Sequence, residues 1–138
     1  MSETGWSLHP QLAADTVPVC DLALSRLLAA NDADFPWLIL VPRRAGVCDM
    51  IDLGSEQTLL MEEIAAASRA LKDETRCDKL NVAAIGNVVP QLHIHIVARR
   101  IGDSLWPKPM WGATAGRRYE AAALATFTAA IRSRIVRG

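Results

Sequence analysis

Two histidines and an amide alternate along one short stretch of this 138-residue chain. Gln91, His93 and His95 are separated by the apolar residues Leu92 and Ile94. Side chains two apart in a β-strand share a face and lie about 6.5–7 Å apart. The spacing therefore predicts a strand whose polar side chains project together while its apolar side chains face a core. Three explanations are open: polar residues accommodated on a sheet face, a metal site, or an imidazole that attacks or binds an anion.

A metal site at these histidines would need a third ligand, because two imidazoles do not complete a zinc coordination sphere. The chain has three histidines, and the third is His9, far away in sequence. No Asp, Glu or Cys stands at a suggestive spacing nearby. We therefore expect no metal ligands among these residues.

Composition excludes several classes of partner. The chain carries 15 basic and 15 acidic residues, so overall charge favours neither nucleic acid nor an anionic membrane. No apolar run approaches the ~18 residues of a membrane span, and the N-terminus does not resemble a signal peptide. Three widely spaced cysteines, Cys20, Cys48 and Cys77, are typical of reduced thiols in a cytoplasmic protein.

Two apolar runs and one amphipathic segment dominate the first half of the chain. Residues 24–30 and 37–42 flank a segment rich in turn residues and are predicted to form a β-hairpin. A helix is predicted from Ser55, as its cap, to about Lys72. The apolar residues of that helix recur at helical spacing: Leu60, Ile64, Ala67 and Leu71.

The second half predicts two more strands and a closing helix. The strands are residues 79–85 and 91–99, a Gly/Pro/Trp segment covers residues 101–116, and the helix runs from about residue 119 to 136. One side of that helix carries Leu124, Phe127, Ile131 and Ile135. The fold class is α+β: an antiparallel sheet with a helix packed on one face and a C-terminal helix. Residues 1–138 are predicted to form one domain, with a core at about 19–103 and the Trp/Pro segment and last helix at 104–138.

The stretch NVAAIGNVVPQLHIHIVARRIGD, residues 81–103, resembles the signature of the histidine triad (HIT) family of nucleotide hydrolases and transferases. Gly86-Asn87 stands where the family has a Gly-Gln or similar pair. His93 matches the middle histidine, His95 the last, and Ala98-Arg99 the Pro-Arg that often follows. Upstream, RLLAANDADFPWLILVPRR resembles the first core strands of the family. The chain departs from the pattern at the first histidine, which is Gln91.

The resemblance implies a HIT-like fold and a covalent mechanism. His93 would attack the α-phosphorus of a nucleotide, and water would then cleave the nucleotidyl-histidine, with no cofactor required. The expected substrate is a dinucleoside polyphosphate or a nucleoside phosphoramidate. The alternative is a nucleotide-binding module with little or no turnover, because the Gln91 amide cannot carry a proton as a histidine can.

Donors are expected around the phosphoryl oxygens of such a substrate, because negative charge accumulates there in the transition state. His95, Gln91 and Asn87 are the candidates, although Gly-Asn is also ordinary turn chemistry. Asn31 is expected at the nucleoside sugar, with a hairpin turn as its alternative role. In the strands, alternation directs Asn81 and Arg99 toward the histidine face as substrate-binding candidates, whereas Arg99 could equally be a solvated strand end.

The resemblance also implies a homodimer formed by joining the sheets of two copies, which would cover an otherwise exposed sheet edge. Trp6, Trp106 and Trp111 are candidate anchors for that interface. The segment from Trp106 to Trp111 is expected either to pack the C-terminal tail or to close over the nucleotide pocket.

Overall fold

The predicted hairpin forms the centre of a five-stranded sheet in the structure, a computed structural model that describes residues 5–137, excluding the side chains of 136 and 137. All strand pairs are antiparallel, in the order β1-β2-β3-β5-β4. The elements in chain order are α1 (Pro10–Asp15), β1 (Thr16–Asp21), β2 (Ser25–Ala30), β3 (Trp37–Pro42), a 3-10 helix (Met50–Glu56), α2 (Gln57–Thr75), β4 (Lys79–Ala83), β5 (Ile94–Arg99) and α3 (Ala121–Arg137).

The central strands β2, β3 and β5 have both faces covered, which explains why their sequences are apolar almost throughout. One face packs on the predicted helix α2 and on α3. That core includes Leu27, Leu40, Ile94 and Ile96 from the strands and Leu60, Ala67, Leu71 and Ile131 from the helices. The predicted α+β class, with a helix on one face and a C-terminal helix, is confirmed.

The opposite face of the sheet is covered by the N-terminal segment rather than by a long helix. Leu12 of α1 packs there on Leu28 and Ile39, with Trp6 and Leu8 beside them. Neither α1 nor β1 was predicted, because each is six residues long and their sequences show no clear periodicity. Among the helices within residues 5–137, none combines the length and apolar character that crossing a membrane requires.

The boundaries of α2 differ from the prediction at both ends. Ser55 is not its cap: it lies in the 3-10 helix, and Gly54, at φ 59° and ψ −127°, separates the two helical segments. Glu56 precedes α2 without a capping side-chain hydrogen bond. At the other end, the helix continues past the predicted Lys72 to Thr75, whose hydroxyl donates to the Leu71 carbonyl at 2.8 Å. Arg76, in the left-handed conformation, then ends it.

Two strands and the last helix are shorter than predicted. β4 ends at Ala83 rather than residue 85, and α3 begins at Ala121 rather than about 119. β5 begins at Ile94 rather than Gln91. Pro90 has no N–H to contribute to a ladder, and the Gln91 side chain bonds to the N-terminal segment instead.

A buried carboxylate fastens α2 to the β1–β2 turn. Glu63 is 6% exposed, and its two oxygens accept the backbone N–H groups of Leu24 and Ser25 at 2.8 and 3.0 Å. Removing it would leave two buried donors without acceptors, which costs more than the hydrogen bonds themselves contribute.

We therefore expect Glu63→Ala to lower the free energy of unfolding by about 3 kcal/mol, measured by urea denaturation. The matched control is Glu62→Ala, which changes the exposed neighbouring glutamate of the same helix and should change stability by less than about 0.5 kcal/mol. Equal effects of the two substitutions would contradict a structural role for the Glu63 carboxylate.

Candidate active site

His93 lies just before β5 and is held through one ring nitrogen. Its Nδ1 is 2.7 Å from the backbone carbonyl oxygen of Gln91. A carbonyl can only accept a hydrogen bond, so Nδ1 carries the proton and Nε2 keeps its lone pair. The ring is 6% exposed. The hydrogen bond therefore fixes the tautomer of the neutral ring, in which Nε2 carries the lone pair.

His95 has the complementary arrangement. In the sheet it pairs with Ile39 of β3 and Ala83 of β4. Its Nδ1 accepts a hydrogen bond from Trp37 Nε1 at 3.1 Å, so the proton of the neutral ring is on Nε2. The two imidazoles are close, with centroids 4.8 Å apart and planes at 78°.

The surroundings of His95 oppose a positive charge on it. The ring lies between Trp37 and Trp111, with centroid distances of 5.5 and 5.6 Å. Burial, followed by electrostatic repulsion from His93, lowers the pKa of His95 from 6.5 to about 4. Near neutral pH, His95 is therefore a hydrogen-bond donor through Nε2–H rather than a cation.

Two cavities meet at the histidines. The larger has a volume of about 340 Å³ and the smaller about 210 Å³. Both are lined by Trp37, Val88, Val89, His93 and His95. The larger adds polar groups from the hairpin loop, α1, the start of β1 and the C-terminal segment, namely Asn31, Asp32, Gln11, Asp15, Thr16, Thr114 and Arg118. The smaller adds Ile85, Gly86, Asn87, Trp111 and Gly112. The wall of the smaller cavity is thus largely apolar.

Two predicted contact residues line these cavities. Asn31 borders the larger one, and its Oδ1 accepts the backbone N–H of Tyr119 at 2.9 Å. Asn87 borders the smaller one, in the turn that follows Gly86. Gly86 has φ +69°, and a Cβ there would lie 3.4 Å from the Val89 carbonyl oxygen. This turn therefore favours glycine at position 86.

The Gln91 side chain is bonded to the N-terminal segment rather than turned into the cavities. Its side-chain oxygen accepts the backbone N–H of His9 at 2.9 Å, and its side-chain nitrogen donates to the Ser7 carbonyl at 2.8 Å. Gln91 is not among the residues that line the two cavities. The amide is bonded to the N-terminal segment, while the carbonyl of the same residue orients His93.

Asn81 and Arg99 are also absent from both cavity walls. Arg99 does lie on the face of β5 that carries His95, but its side chain is 1% exposed and faces Asp103, with Nε and an NH2 group 2.7 and 2.9 Å from the carboxylate. It also donates to Asn81 Oδ1 at 3.0 Å and to the Lys108 carbonyl at 2.8 Å. Two expectations are therefore corrected. Asn81 and Arg99 bond to the chain itself and do not line the cavities, and Arg99 is buried rather than solvated.

The Arg99 network organises the segment after β5. Hydrogen bonds from Arg99 hold the pKa of Asp103 down to about 2, and the guanidinium lies against the Trp106 ring at 5.6 Å. Further along the same segment, Trp111 contacts His95. Residues 106–111 therefore pack against β5 through Trp106 and Trp111, and Trp111 also lines the smaller cavity.

Several residues of the site were missed by sequence reasoning. Trp37 opens a predicted strand and had no visible partner, because the register that brings it to His95 is a property of the assembled sheet. Thr114 donates to Asp32 at 2.7 Å across 82 positions of sequence, a pairing that no local pattern signals. Within the described residues, no group of three His, Cys, Asp or Glu side chains is arranged to hold a metal ion.

The chain is similar to known proteins over most of its length. The model of the HIT domain matches residues 11–102. A histidine triad protein from Bradyrhizobium japonicum is 51% identical, with a TM-score of 0.91 over 94% of this chain and 98% of that one. A histidine triad protein from Marinobacter aquaeolei VT8 is 38% identical, with a TM-score of 0.92 over 96% of this chain and 97% of that one. Another, from Sinorhizobium meliloti 1021, is 36% identical, with a TM-score of 0.93 over 96% of this chain and 99% of that one. No curated protein matches the chain.

The geometry around His95 predicts its titration. In ¹⁵N NMR spectra of the imidazoles, we expect His95 to stay neutral, with its proton on Nε2, until the pH falls to about 4. Because its folded pKa lies below the unfolded value of 6.5, the unfolded chain binds the proton more readily. The free energy of unfolding should therefore decrease as pH falls from 6.5 to 4, by up to about 3 kcal/mol from this residue.

The His95→Asn variant is the control for that titration, because its amide oxygen can still accept from Trp37 but does not titrate. The variant should lose the part of the pH dependence of its unfolding free energy that His95 contributes, and keep the remainder. A His95 ring that is protonated at pH 6 would contradict the assignment.

Proposed function

Because the chain belongs to the histidine triad (HIT) family, we propose that it is a nucleotide hydrolase in which His93 attacks the phosphorus of a nucleoside 5′-phosphate derivative. The observation that supports this most directly is the hydrogen bond from His93 Nδ1 to the Gln91 carbonyl. It fixes the tautomer whose other nitrogen can act as a nucleophile, on a ring that lines both cavities.

The reaction has two displacements at phosphorus. In the first, His93 Nε2 forms a bond to phosphorus, the bond to the leaving group breaks, and the leaving group takes its electron pair and then a proton from solvent. In the second, water attacks phosphorus, the P–N bond breaks, and the water proton is lost to solvent. The products are a nucleoside monophosphate and a regenerated neutral His93.

His95 would assist without changing its charge. Its Nε2–H can donate to a phosphoryl oxygen as negative charge develops, and its lowered pKa keeps the ring in the neutral, donating form. Asn87, which also lines the smaller cavity, is the second candidate donor. Asn31, with Asp32 beside it, is the candidate contact for the sugar in the larger cavity.

The charges of the cavity walls favour one substrate class over the other. The larger cavity carries the Asp15 and Asp32 carboxylates and Arg118, which suits a nucleoside with hydroxyl and N–H groups. The smaller one, where the leaving group would lie, is lined by no Lys or Arg among the described residues. A polyphosphate leaving group would lack a cationic partner there. A nucleoside phosphoramidate with an apolar amine fits this wall better than a dinucleoside polyphosphate.

We therefore expect AMP release from an N-alkyl adenosine phosphoramidate to exceed release from diadenosine tetraphosphate in kcat/KM, as measured by chromatography. His93→Ala should reduce turnover roughly a thousandfold or more, whereas the surface control Glu62→Ala should not. Acid-quenched reactions with labelled substrate should show label on the wild-type protein and none on His93→Ala. Equal turnover by wild type and His93→Ala would remove His93 as the nucleophile.

One observation favours a second function, nucleotide binding with little turnover. Gln91 replaces a group that can titrate, and its amide is bonded to residues 7 and 9 rather than turned toward the cavities. AMP binding in calorimetry, together with no detectable product or label on the protein, would select this alternative.

We also propose a homodimer joined at the β4 edge. β4 is an outer strand, and apolar side chains are exposed on or near it, including Val82 at 47% and Ile85 at 44%. A second copy would cover them and pair the open backbone edge. The tryptophans expected at the interface also have contacts within their own chain: Trp6 packs with Arg26, Trp106 with Arg99 and Trp111 with His95.

Sedimentation velocity should give the mass of a dimer for the wild type and a monomer for Val82→Lys, because a charge at the joined edge opposes pairing. Ala125→Lys is the matched control: it adds the same charge on α3, which packs near β1 at the other end of the sheet. A dimer that survives Val82→Lys but not Ala125→Lys would place the interface elsewhere.

A further inference from the structure

We propose that Gln91 is a positioning residue that clamps the N-terminal segment, residues 5–9, and through it the wall of the larger cavity. The inference rests on the proposed role of that cavity as the nucleotide site. Two hydrogen bonds carry it: the side-chain oxygen accepts from His9 N–H at 2.9 Å, and the side-chain nitrogen donates to the Ser7 carbonyl at 2.8 Å.

The chemistry of the amide suits this pair of bonds. A primary amide offers a donor and an acceptor side by side on one plane, as a peptide group in a neighbouring strand does. A carboxylate has no donor for the Ser7 carbonyl, and the two nitrogens of an imidazole point away from each other. Glutamine is therefore the side chain that can bind residues 7 and 9 together. This gives a physical role to the position at which the chain departs from the family pattern.

The clamped segment leads directly into the cavity wall. His9 caps α1, because its ring Nδ1 accepts the backbone N–H of Gln11 at 3.1 Å. Gln11, Leu12 and Asp15 of that helix line the larger cavity. α1 is only six residues long, so its own hydrogen bonds contribute little to its position. Its placement therefore depends on contacts with the rest of the chain: the Gln91 bonds just before its first turn, and Leu12 on the sheet.

The side chain and the backbone of Gln91 thus serve two different parts of the site. The side chain holds the segment that leads into the wall of the larger cavity. The carbonyl accepts a hydrogen bond from His93 Nδ1 at 2.7 Å. A substitution of the side chain leaves the carbonyl present. Loss of the clamp should therefore weaken nucleotide binding more than it slows the chemical step, whereas an amide that contacted the transition state would lower kcat.

The first test separates these two effects in the kinetics of adenosine phosphoramidate hydrolysis. Gln91→Ala removes both hydrogen bonds and should raise KM about tenfold, with kcat within about twofold of wild type. Gln91→Glu keeps the size of the side chain but faces an oxygen toward the Ser7 carbonyl, and should raise KM at least as much. A lower kcat at unchanged KM in Gln91→Ala would overturn the proposal, as would no change in either constant.

The second test removes the His9 N–H, which donates to the Gln91 side-chain oxygen. His9 has φ −56°, which proline can adopt, so His9→Pro removes the N–H that donates to Gln91. His9→Ala is the matched control, because it removes only the ring and retains that N–H. His9→Pro should raise KM more than His9→Ala, and this difference should disappear in the Gln91→Ala background. Equal effects of Pro and Ala in the wild-type background would overturn the clamp.

A third measurement distinguishes failure of the clamp from failure of the proposed function. If the wild type neither turns over the phosphoramidate nor binds AMP, the proposed function is wrong, and the wall of the larger cavity does not bind a nucleotide. Hydrogen exchange then tests the clamp independently of nucleotide binding. The amides of residues 7–15 should exchange faster in Gln91→Ala than in wild type, and unchanged exchange would overturn it.

Discussion

Side chains alternate between two faces along β5 and the residues just before it. One face packs in the core, and the other faces the cavities. Leu92, Ile94 and Ile96 are buried on the face covered by α2 and α3. His93 and His95 therefore face the other way, toward the cavities. A shift of one residue in register would place two imidazoles in the core and three large apolar side chains in the site. Burial on one face is the constraint that holds the histidines in place.

The two histidines carry their protons on different ring nitrogens because their hydrogen-bond partners differ. A carbonyl acceptor forces the proton of His93 onto Nδ1, and an indole donor forces that of His95 onto Nε2. With both rings in these tautomers, the pair presents one lone pair and one N–H. This is the combination that a nucleophilic attack on an anionic phosphoryl group requires, since the nucleophile must be neutral and the oxygens need a donor.

The walls of the site come from segments distant in sequence, each held by polar contacts. Arg99 fastens the segment that carries Trp111, through Asp103 and the Lys108 carbonyl. Gln91 fastens the segment before α1. In both cases a residue expected to touch the substrate is bonded to the chain itself. Such residues belong to a site through what they hold in place.

The sequence by itself determined the α+β class, the central hairpin, the helix over the core and the identity of the histidine pair. Strand alternation and helical spacing are local properties, and the buried Leu and Ile residues repeat them clearly. Only the tertiary structure decided that β5 starts at Ile94, that Gln91 turns to the N-terminal segment, and that Trp37 reaches His95. These contacts join residues 58 or more positions apart. They depend on strand register and on the path of irregular segments, which no local pattern in the chain encodes.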